Sequence, residues 1–344
     1  MRRRRQRTRQ SRTPVHDPRV STPIDVVGGP GRRWVRPRSS IAPAPNPRSS
    51  RRPRARTWAT AYTFILPTLG LTVLFSVIPL VMVIRRSLYK GNIFGTNLTF
   101  AGLDNYRAML SGGGGHALLV TLEFTVGFVL VCMVAGIGVA LLLDMPLPGV
   151  SAIRALFIIP LVVPPVATAF IWFTLFQPQT GLFNRLLLGL HLPQVTLDNP
   201  VVAMVAVISF GAWQFFGEVV ILYLAALKSL PREVIEAAVV DGAGAWQRLR
   251  HIRLPLLRPQ TALITVISTL TGLQTFTQIY VLTNGGPDGA TQTALYYVYN
   301  QAFGLGAGGS VGNADAMAVL LFGISILMTI VQLAVVGRAS KAVG

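Results

Sequence analysis

Six long apolar runs, separated by polar stretches, dominate this chain after its first sixty residues. They cover residues 59–84, 117–143, 155–176, 201–227, 261–282 and 316–336. About twenty apolar residues cross the hydrocarbon layer as a helix, the form in which a single segment satisfies its own backbone hydrogen bonds. The pattern predicts an all-α, polytopic membrane protein with six transmembrane helices.

The third run contains more prolines than any other run. Pro160, Pro164 and Pro165 fall within six residues. Proline removes a helix hydrogen bond and clashes with the preceding turn. We therefore expect the most irregular point of the helical bundle between Ile159 and Pro165.

The first 58 residues differ sharply in composition from the rest. They contain nine prolines, 17 of the 31 basic residues and few apolar ones, whereas the full chain is 51% hydrophobic and 12% charged. Such a segment cannot bury enough surface to offset its ordering entropy, so we predict a disordered tail. Because most of the net charge of +19 belongs to this tail, the basic character does not indicate nucleic-acid binding.

The distribution of Lys and Arg predicts the orientation in the membrane. Placing the tail in the cytoplasm also places there six basic residues between 228 and 258 and the last two of the chain. Only the first outer loop, with Arg85, Arg86, Lys90 and Arg107, opposes this arrangement. We therefore expect a cell-membrane protein with both termini cytoplasmic: a tail (1–58), a membrane domain (59–337) with a cytoplasmic loop at 228–259, and a short C-terminal tail (338–344).

The sequence gives no sign of enzymatic or cofactor chemistry. Cys132 is the only cysteine, the four histidines are far apart, and no G-x-x-x-x-G-K-[ST] phosphate loop occurs. No metal site, catalytic residue or cofactor is predicted. Any ATP hydrolysis would have to occur on another chain.

The loop between the fourth and fifth runs is long, Arg-rich and predicted to be helical. Pro231 suits a helix start, residues 232–240 favour helix, Asp241-Gly242 predicts a turn, and residues 245–254 predict a second short helix. Two helices at a sharp turn form a compact projection that a partner groove could hold. From composition alone, a loop lying along the lipid headgroups is an equal alternative.

The motif within this loop resembles that of a known family. The residues that carry it are Glu236, Ala237, Ala238, Asp241, Gly242, Ile252, Leu254 and Pro255, in the segment EAAVVDGAGAWQRLRHIRLP. This EAA–G–I–LP spacing is similar to that of importer permeases of the ATP-binding-cassette superfamily. The flanking AALKSLPREVIEAAVVDGA and the segment TNGGPDGATQTALYYVYNQAF at 283–303 resemble the maltose-type, oligosaccharide branch.

The resemblance implies a set of partners and a role for the loop. They are a second homologous permease, a cytoplasmic ATPase dimer that receives the loop, and an extracytoplasmic sugar-binding protein. The expected function is the permease subunit of an ATP-driven carbohydrate importer, coupled to its ATPase through this loop.

The sugar path is predicted from polar and aromatic residues in the fifth and fourth runs. Thr271, Gln274, Thr275 and Gln278 follow helical spacing and form one stripe, and the resemblance places this region beside the sugar. Trp213 and Gln214 are further candidates. The alternative is that the stripe joins helices by hydrogen bonds.

Two other functions stay open at this stage. An importer of the same class could carry a phosphorylated polyol such as glycerol phosphate. Alternatively, an ion-coupled transporter would use the intramembrane acids Glu123 and Glu218.

Overall fold

The computed structural model describes residues 54–91, 98–145, 148–304 and 310–341. The predicted tail therefore lies outside the described residues, apart from its last five. The contacts divide the chain after Thr63, and the residues from Phe64 onward form one compact unit.

The described residues are mostly helical, as predicted. The helices are α1 (Arg54–Thr72), α2 (Ile78–Arg86), α3 (Asp104–Met109), α4 (Gly115–Asp144), α5 (Val150–Val162), α6 (Pro165–Leu175), α7 (Leu182–Gly189), α8 (Pro200–Lys228), α9 (Arg232–Val240), α10 (Ala245–Arg248), α11 (Leu254–Leu256), α12 (Arg258–Leu273), α13 (Ala294–Phe303) and α14 (Val311–Lys341). Four π-helical turns lie at Val73–Val77, Leu110–Gly114, Leu249–Arg253 and Ile279–Thr283. Strands β1 (Tyr89–Lys90) and β2 (Thr99–Phe100) pair antiparallel, with Tyr89 opposite Phe100.

Four helical segments of the described chain are long and apolar enough to cross a membrane. They are Tyr62–Arg86, Asp104–Asp144, Pro200–Lys228 and Val311–Ala334. Helices α5 and α6 make a fifth if they count as one span, although they meet at an angle of 101°. The break falls at Val163 and Pro164, both with extended backbones, which confirms the irregular point predicted from the prolines.

The fifth predicted span is not a continuous helix, so this part of the sequence prediction is wrong. Helix α12 ends at Leu273, and only the short π-helical turn at Ile279–Thr283 completes the run. The carbonyl of Thr275 accepts a hydrogen bond from Thr293 Oγ1 at 3.2 Å, a side chain eighteen residues away. A hydrogen bond from a side chain satisfies this carbonyl in place of an intrahelical backbone hydrogen bond.

Helices α4 and α8 form the centre of the core. Phe124 and Phe128 of α4 and Val219 and Tyr223 of α8 are all buried there. The two helices approach closely at Gly136, where an added Cβ would lie 2.5 Å from Val219 Cγ1. Small residues allow such close helix packing in membrane proteins. This arrangement fixes the relative positions of the residues described next.

Candidate functional site

A cavity of about 300 Å³ with both polar and aromatic lining lies where α4, α8 and the break after α12 meet. Its lining includes Gln214 of α8 and Thr271, Gln274, Thr275 and Gln278 around the break. The structure therefore brings together five of the six residues predicted for the sugar path. They do not form a helical stripe, because the helix ends between Thr271 and Gln274.

The side chain of Gln278 is held across the cavity wall. Its Nε2 donates a hydrogen bond to Thr275 Oγ1. A Cβ at Gly211 of α8 would lie 3.1 Å from the same nitrogen, so this glycine leaves room for the amide.

Aromatic side chains complete the lining. They are Phe124, Phe128, Phe215 and Phe276. Phe124 and Phe128 stack with ring centroids 5.7 Å apart, and Phe128 lies 5.6 Å from Phe215. The i, i+4 spacing of Phe124 and Phe128 was the available signal, but it is also typical of an ordinary core.

Trp213 lies apart from the cavity lining. Its ring packs 5.6 Å from that of Trp172 on α6 and 6.1 Å from that of Phe210. Although Trp213 precedes Gln214 in sequence, successive residues of a helix point about 100° apart. Trp213 therefore belongs to an aromatic contact between α6 and α8.

A second aromatic group extends from the cavity along the surface of α13. This aromatic cluster consists of Phe276, Tyr280, Tyr296, Tyr299 and Phe303. Phe276 belongs to both the cavity and the cluster. The hydrogen bond with Tyr280 raises the pKa of Tyr299 above its ordinary value.

The T-N-G-G-P segment at 283–287 forms a tight turn. Asn284 and Gly285 have left-handed backbones, with φ of 50° and 80°. The hydroxyl of Tyr296 lies 2.9 Å from the carbonyl oxygen of Asn284, and a Cβ at Gly285 would lie 2.5 Å from the Tyr296 ring. Tyr296 thus joins this turn to the aromatic cluster.

Residues 231–257, called the coupling segment after the role that the sequence resemblance implies, have the two-helix form predicted from the sequence. Helix α9 covers Arg232–Val240, the predicted bounds. Gly242 has a φ of 80°, and the N–H groups of Gly242 and Ala243 donate to the carbonyls of Val239 and Ala238 at 3.1 and 2.9 Å. This pair of bonds is a Schellman motif, which ends a helix at a left-handed glycine.

The second helix of the coupling segment begins at Ala245. Gln247 Oε1 accepts from the N–H of Gly244 at 2.8 Å, and Arg248 Nη1 donates to the Ala243 carbonyl at 2.6 Å. The chain then continues through the π-helical turn at Leu249–Arg253 into α11 and α12. These bonds make the turn between the helices rigid.

Most of the motif residues are on the surface of the coupling segment. Glu236, Ala237, Asp241, Gly242 and Leu254 are exposed, Ile252 and Pro255 are half-buried, and Ala238 is buried. Val240 and Trp246 add exposed apolar surface, with 87% and 69% of their area accessible. A face of this kind, apolar with an acid beside it, is suited to contact with another protein.

Comparison with known proteins decides the family. Residues 121–341 match the model of the family described as "binding-protein-dependent transport system inner membrane component". The chain belongs to this family. The resemblance drawn from the EAA motif is thereby confirmed, and this permease is a multi-pass membrane component of a transport system.

Curated relatives align with about four-fifths of the chain. The trehalose/maltose transport system permease protein MalF of Thermococcus litoralis is 33% identical over 276 residues, which cover 80% of this chain and 92% of that protein. The sn-glycerol-3-phosphate transport system permease protein UgpA of Brucella abortus is 34% identical over 277 residues, with coverage of 79% and 92%.

The fold of the permease also matches that of a solved structure. A chain of a bacterial ABC transporter that imports the acidic polysaccharide alginate superimposes with a TM-score of 0.67 at 22% identity. The match covers 83% of the permease and 96% of that chain.

The two intramembrane acids of the permease differ in their surroundings. Glu123 is exposed on α4, whereas Glu218 is half-buried on α8. Neither lines the cavity. The family match removes the basis for reading them as the ion-coupling groups of a secondary transporter.

Proposed function

We propose that this chain is one permease subunit of an ATP-driven, binding-protein-dependent carbohydrate importer. A second homologous permease completes the translocation path, a cytoplasmic ATPase dimer supplies the energy, and an extracytoplasmic sugar-binding protein delivers the cargo. The observation that carries the proposal is the connection between the coupling segment and the cavity. The segment joins α8, which carries Gln214, to α12, which carries Thr271.

The coupling segment has two connections to the core. Helix α12 runs sixteen residues, roughly 24 Å, from the segment to the cavity. Arg253 Nη1 also lies 3.5 Å from Asp144 Oδ2, at the end of α4, whose other half carries Phe124 and Phe128. A displacement of the coupling segment would therefore reach the cavity wall along α12 and α4.

In the proposed cycle, the motif residues bind the ATPase. Glu236 and the exposed apolar surface of Val240 and Leu254 provide the contact, and Ala237 allows close approach. The ATPase binds this face better in one of two permease conformations and so shifts their equilibrium. ATP hydrolysis belongs to the ATPase chain, and the permease has no catalytic residue.

The proposed topology has six spans with both termini in the cytoplasm. The four long helices and the bent pair α5–α6 supply five, and α12 with its following π-helical turn supplies the sixth. In this arrangement the basic coupling segment faces the cytoplasm and the T-N-G-G-P turn faces outward. The domain boundaries follow the sequence prediction: a tail at 1–58, the permease domain at 59–337 and a C-terminal tail at 338–344.

Sugar recognition is assigned to the cavity. Its amides and hydroxyls match sugar hydroxyl groups, and its phenylalanine rings offer apolar faces. The name of the Thermococcus relative, a trehalose/maltose permease, supports a carbohydrate. The name of the Brucella relative keeps glycerol phosphate as the second candidate.

The test is uptake into membrane vesicles that contain the full complex. We expect uptake of binding-protein-delivered sugar to require ATP and to survive collapse of the proton and sodium gradients. Glu236→Lys should insert normally and reduce uptake to background, whereas Glu123→Gln should change it little. Uptake that persists without the ATPase would contradict the proposal.

A further inference from the structure

The cavity is uncharged. Throughout the part of the chain that the structure describes, no Arg, Lys, His, Asp or Glu contributes to its lining. Sugar hydroxyls can be satisfied by the amides of Gln214, Gln274 and Gln278 and by neighbouring threonines. A phosphate or carboxylate in the same place would lose its hydration without gaining a cation, which is strongly unfavourable in a low-dielectric site.

One charged side chain lies on the same helix face as the cavity, and it is an acid. Gly211, Gln214 and Phe215 of α8 line the cavity. Glu218 lies seven residues after Gly211, four after Gln214 and three after Phe215. This spacing keeps all four residues on one face of the helix. It therefore lies about one helical turn beyond the lining, toward the Lys228 end of α8.

The carboxylate of Glu218 has no ionic partner within the described residues. Three other described acids are paired: Asp144 with Arg253 at 3.5 Å, Asp315 with Arg86 at 3.0 Å and Asp104 with Lys90 at 3.1 Å. An unpaired acid at membrane depth is stable only where it faces water or a polar path. Glu218 is half-buried, so it is partly accessible for such contact.

We propose that the cavity accepts uncharged carbohydrates, and that Glu218 makes the adjoining path repel phosphorylated and carboxylated ones. This inference rests on the proposed function and names its substrate class as a neutral sugar or glycoside. It separates this chain from relatives named for sn-glycerol-3-phosphate and from the alginate importer. Glu218 is thereby a specificity-determining residue of the path.

Charged thiol reagents measure this electrostatic property without knowledge of the sugar. Cys132 is the only cysteine and is fully buried, so a Cys132→Ser background with Thr271→Cys presents one reactive thiol in the cavity. In the assembled complex, a cationic methanethiosulfonate should modify this thiol roughly tenfold faster than an anionic one. The rates are normalised to those at Phe303→Cys, a position with 72% of its area exposed.

Three variants assign the effect to Glu218. Glu218→Gln should bring the ratio of cationic to anionic modification rates close to the ratio at Phe303→Cys. Glu218→Asp should preserve the ratio, and Glu123→Gln should leave it unchanged. An anionic reagent that reacts as fast as the cationic one would overturn the proposal. So would a ratio that Glu218→Gln does not alter.

Uptake of neutral and phosphorylated compounds by the full complex tests the same inference with transported molecules. Labelled maltose and trehalose are compared with trehalose 6-phosphate and glycerol 3-phosphate. Uptake of neutral members alone supports the proposal. Uptake of a phosphorylated member would overturn neutral selectivity and leave the importer function standing. If no carbohydrate is carried and none stimulates the ATPase, the proposed function fails. The ratio of cationic to anionic modification rates still decides the charge of the path in that case.

Discussion

The N–H of Ala243 donates to the carbonyl of Ala238 at 2.9 Å and closes the end of α9 around Gly242. The closure needs a left-handed residue at position 242, where the φ is 80°. A Cβ at Gly242 would meet no atom within 4 Å. Any effect of substitution there must therefore come from backbone strain or from lost contact with a partner.

We predict a graded loss of coupling at position 242. Left-handed backbone costs most L-residues roughly 1–2 kcal/mol, and asparagine less. Gly242→Asn should be mild, Gly242→Ala stronger and Gly242→Asp strongest, because the charge would also face the ATPase. Co-purification of the ATPase and ATP-dependent uptake, each normalised to inserted permease, measure the effect.

The matched control is Gly244→Ala in the same turn. Gly244 has a φ of −65°, which alanine adopts freely, and the nearest atom to an added Cβ is Gln247 Oε1 at 3.7 Å. Equal losses from Gly242→Ala and Gly244→Ala would contradict the role of the left-handed turn.

A pair of glutamines distinguishes sugar binding from helix packing. Gln278→Leu removes an amide from the cavity and should weaken sugar-dependent uptake by roughly five- to hundredfold, since a lost polar contact is worth ~1–3 kcal/mol. Assembly of the complex should be unchanged. Initial uptake rates across a range of sugar concentrations give the change in apparent affinity.

Gln332→Leu is the comparison for a packing role. Gln332 Nε2 donates to Thr269 Oγ1 at 2.9 Å and joins α14 to α12 outside the cavity lining. This variant should lower thermal stability and leave apparent affinity for sugar unchanged. If Gln278→Leu behaves in the same way, the cavity glutamines are packing residues.

Close packing at Gly217 should be essential for folding. A Cβ there would collide with the carbonyl oxygen of Phe157 on α5, a backbone atom that cannot rotate away. Overpacking of this kind typically costs ~1–3 kcal/mol, so Gly217→Ala should reduce thermal stability and the yield of assembled permease.

Gly138→Ala tests whether the effect is specific to this contact. Gly138 is exposed on α4, and no atom lies within 4 Å of its added Cβ. Alanine favours a helix over glycine by up to ~1 kcal/mol, so this variant should be neutral or slightly stabilising. Unfolding measured by fluorescence in detergent compares the two, and similar stabilities would refute the packing argument.

Labelling of single cysteines should establish the topology. Phe303→Cys and Val240→Cys are both highly exposed, at 72% and 87% of their areas. In intact cells, an impermeant reagent should modify the cysteine at 303 and reach the one at 240 only after the cells are opened. The reverse pattern would invert the proposed orientation.

The sequence by itself determined the family, the helical class and the bounds of α9. Each depends on information carried by neighbouring residues: the fixed spacing from Glu236 to Pro255, the runs of apolar side chains, and the helix start and turn signals at Pro231 and Gly242. Local backbone preference and membrane length leave few alternatives for such segments.

Only the tertiary structure decided which side chains meet at the cavity. Thr293 holds the carbonyl of Thr275 outside the helix ladder, and Gly211 leaves room for Gln278, although both partners are distant in sequence. The same packing adds Phe124 and Phe128 to the lining and leaves Trp213 outside it. Periodicity along one segment could not reveal these contacts, because each depends on where another helix or loop places its atoms.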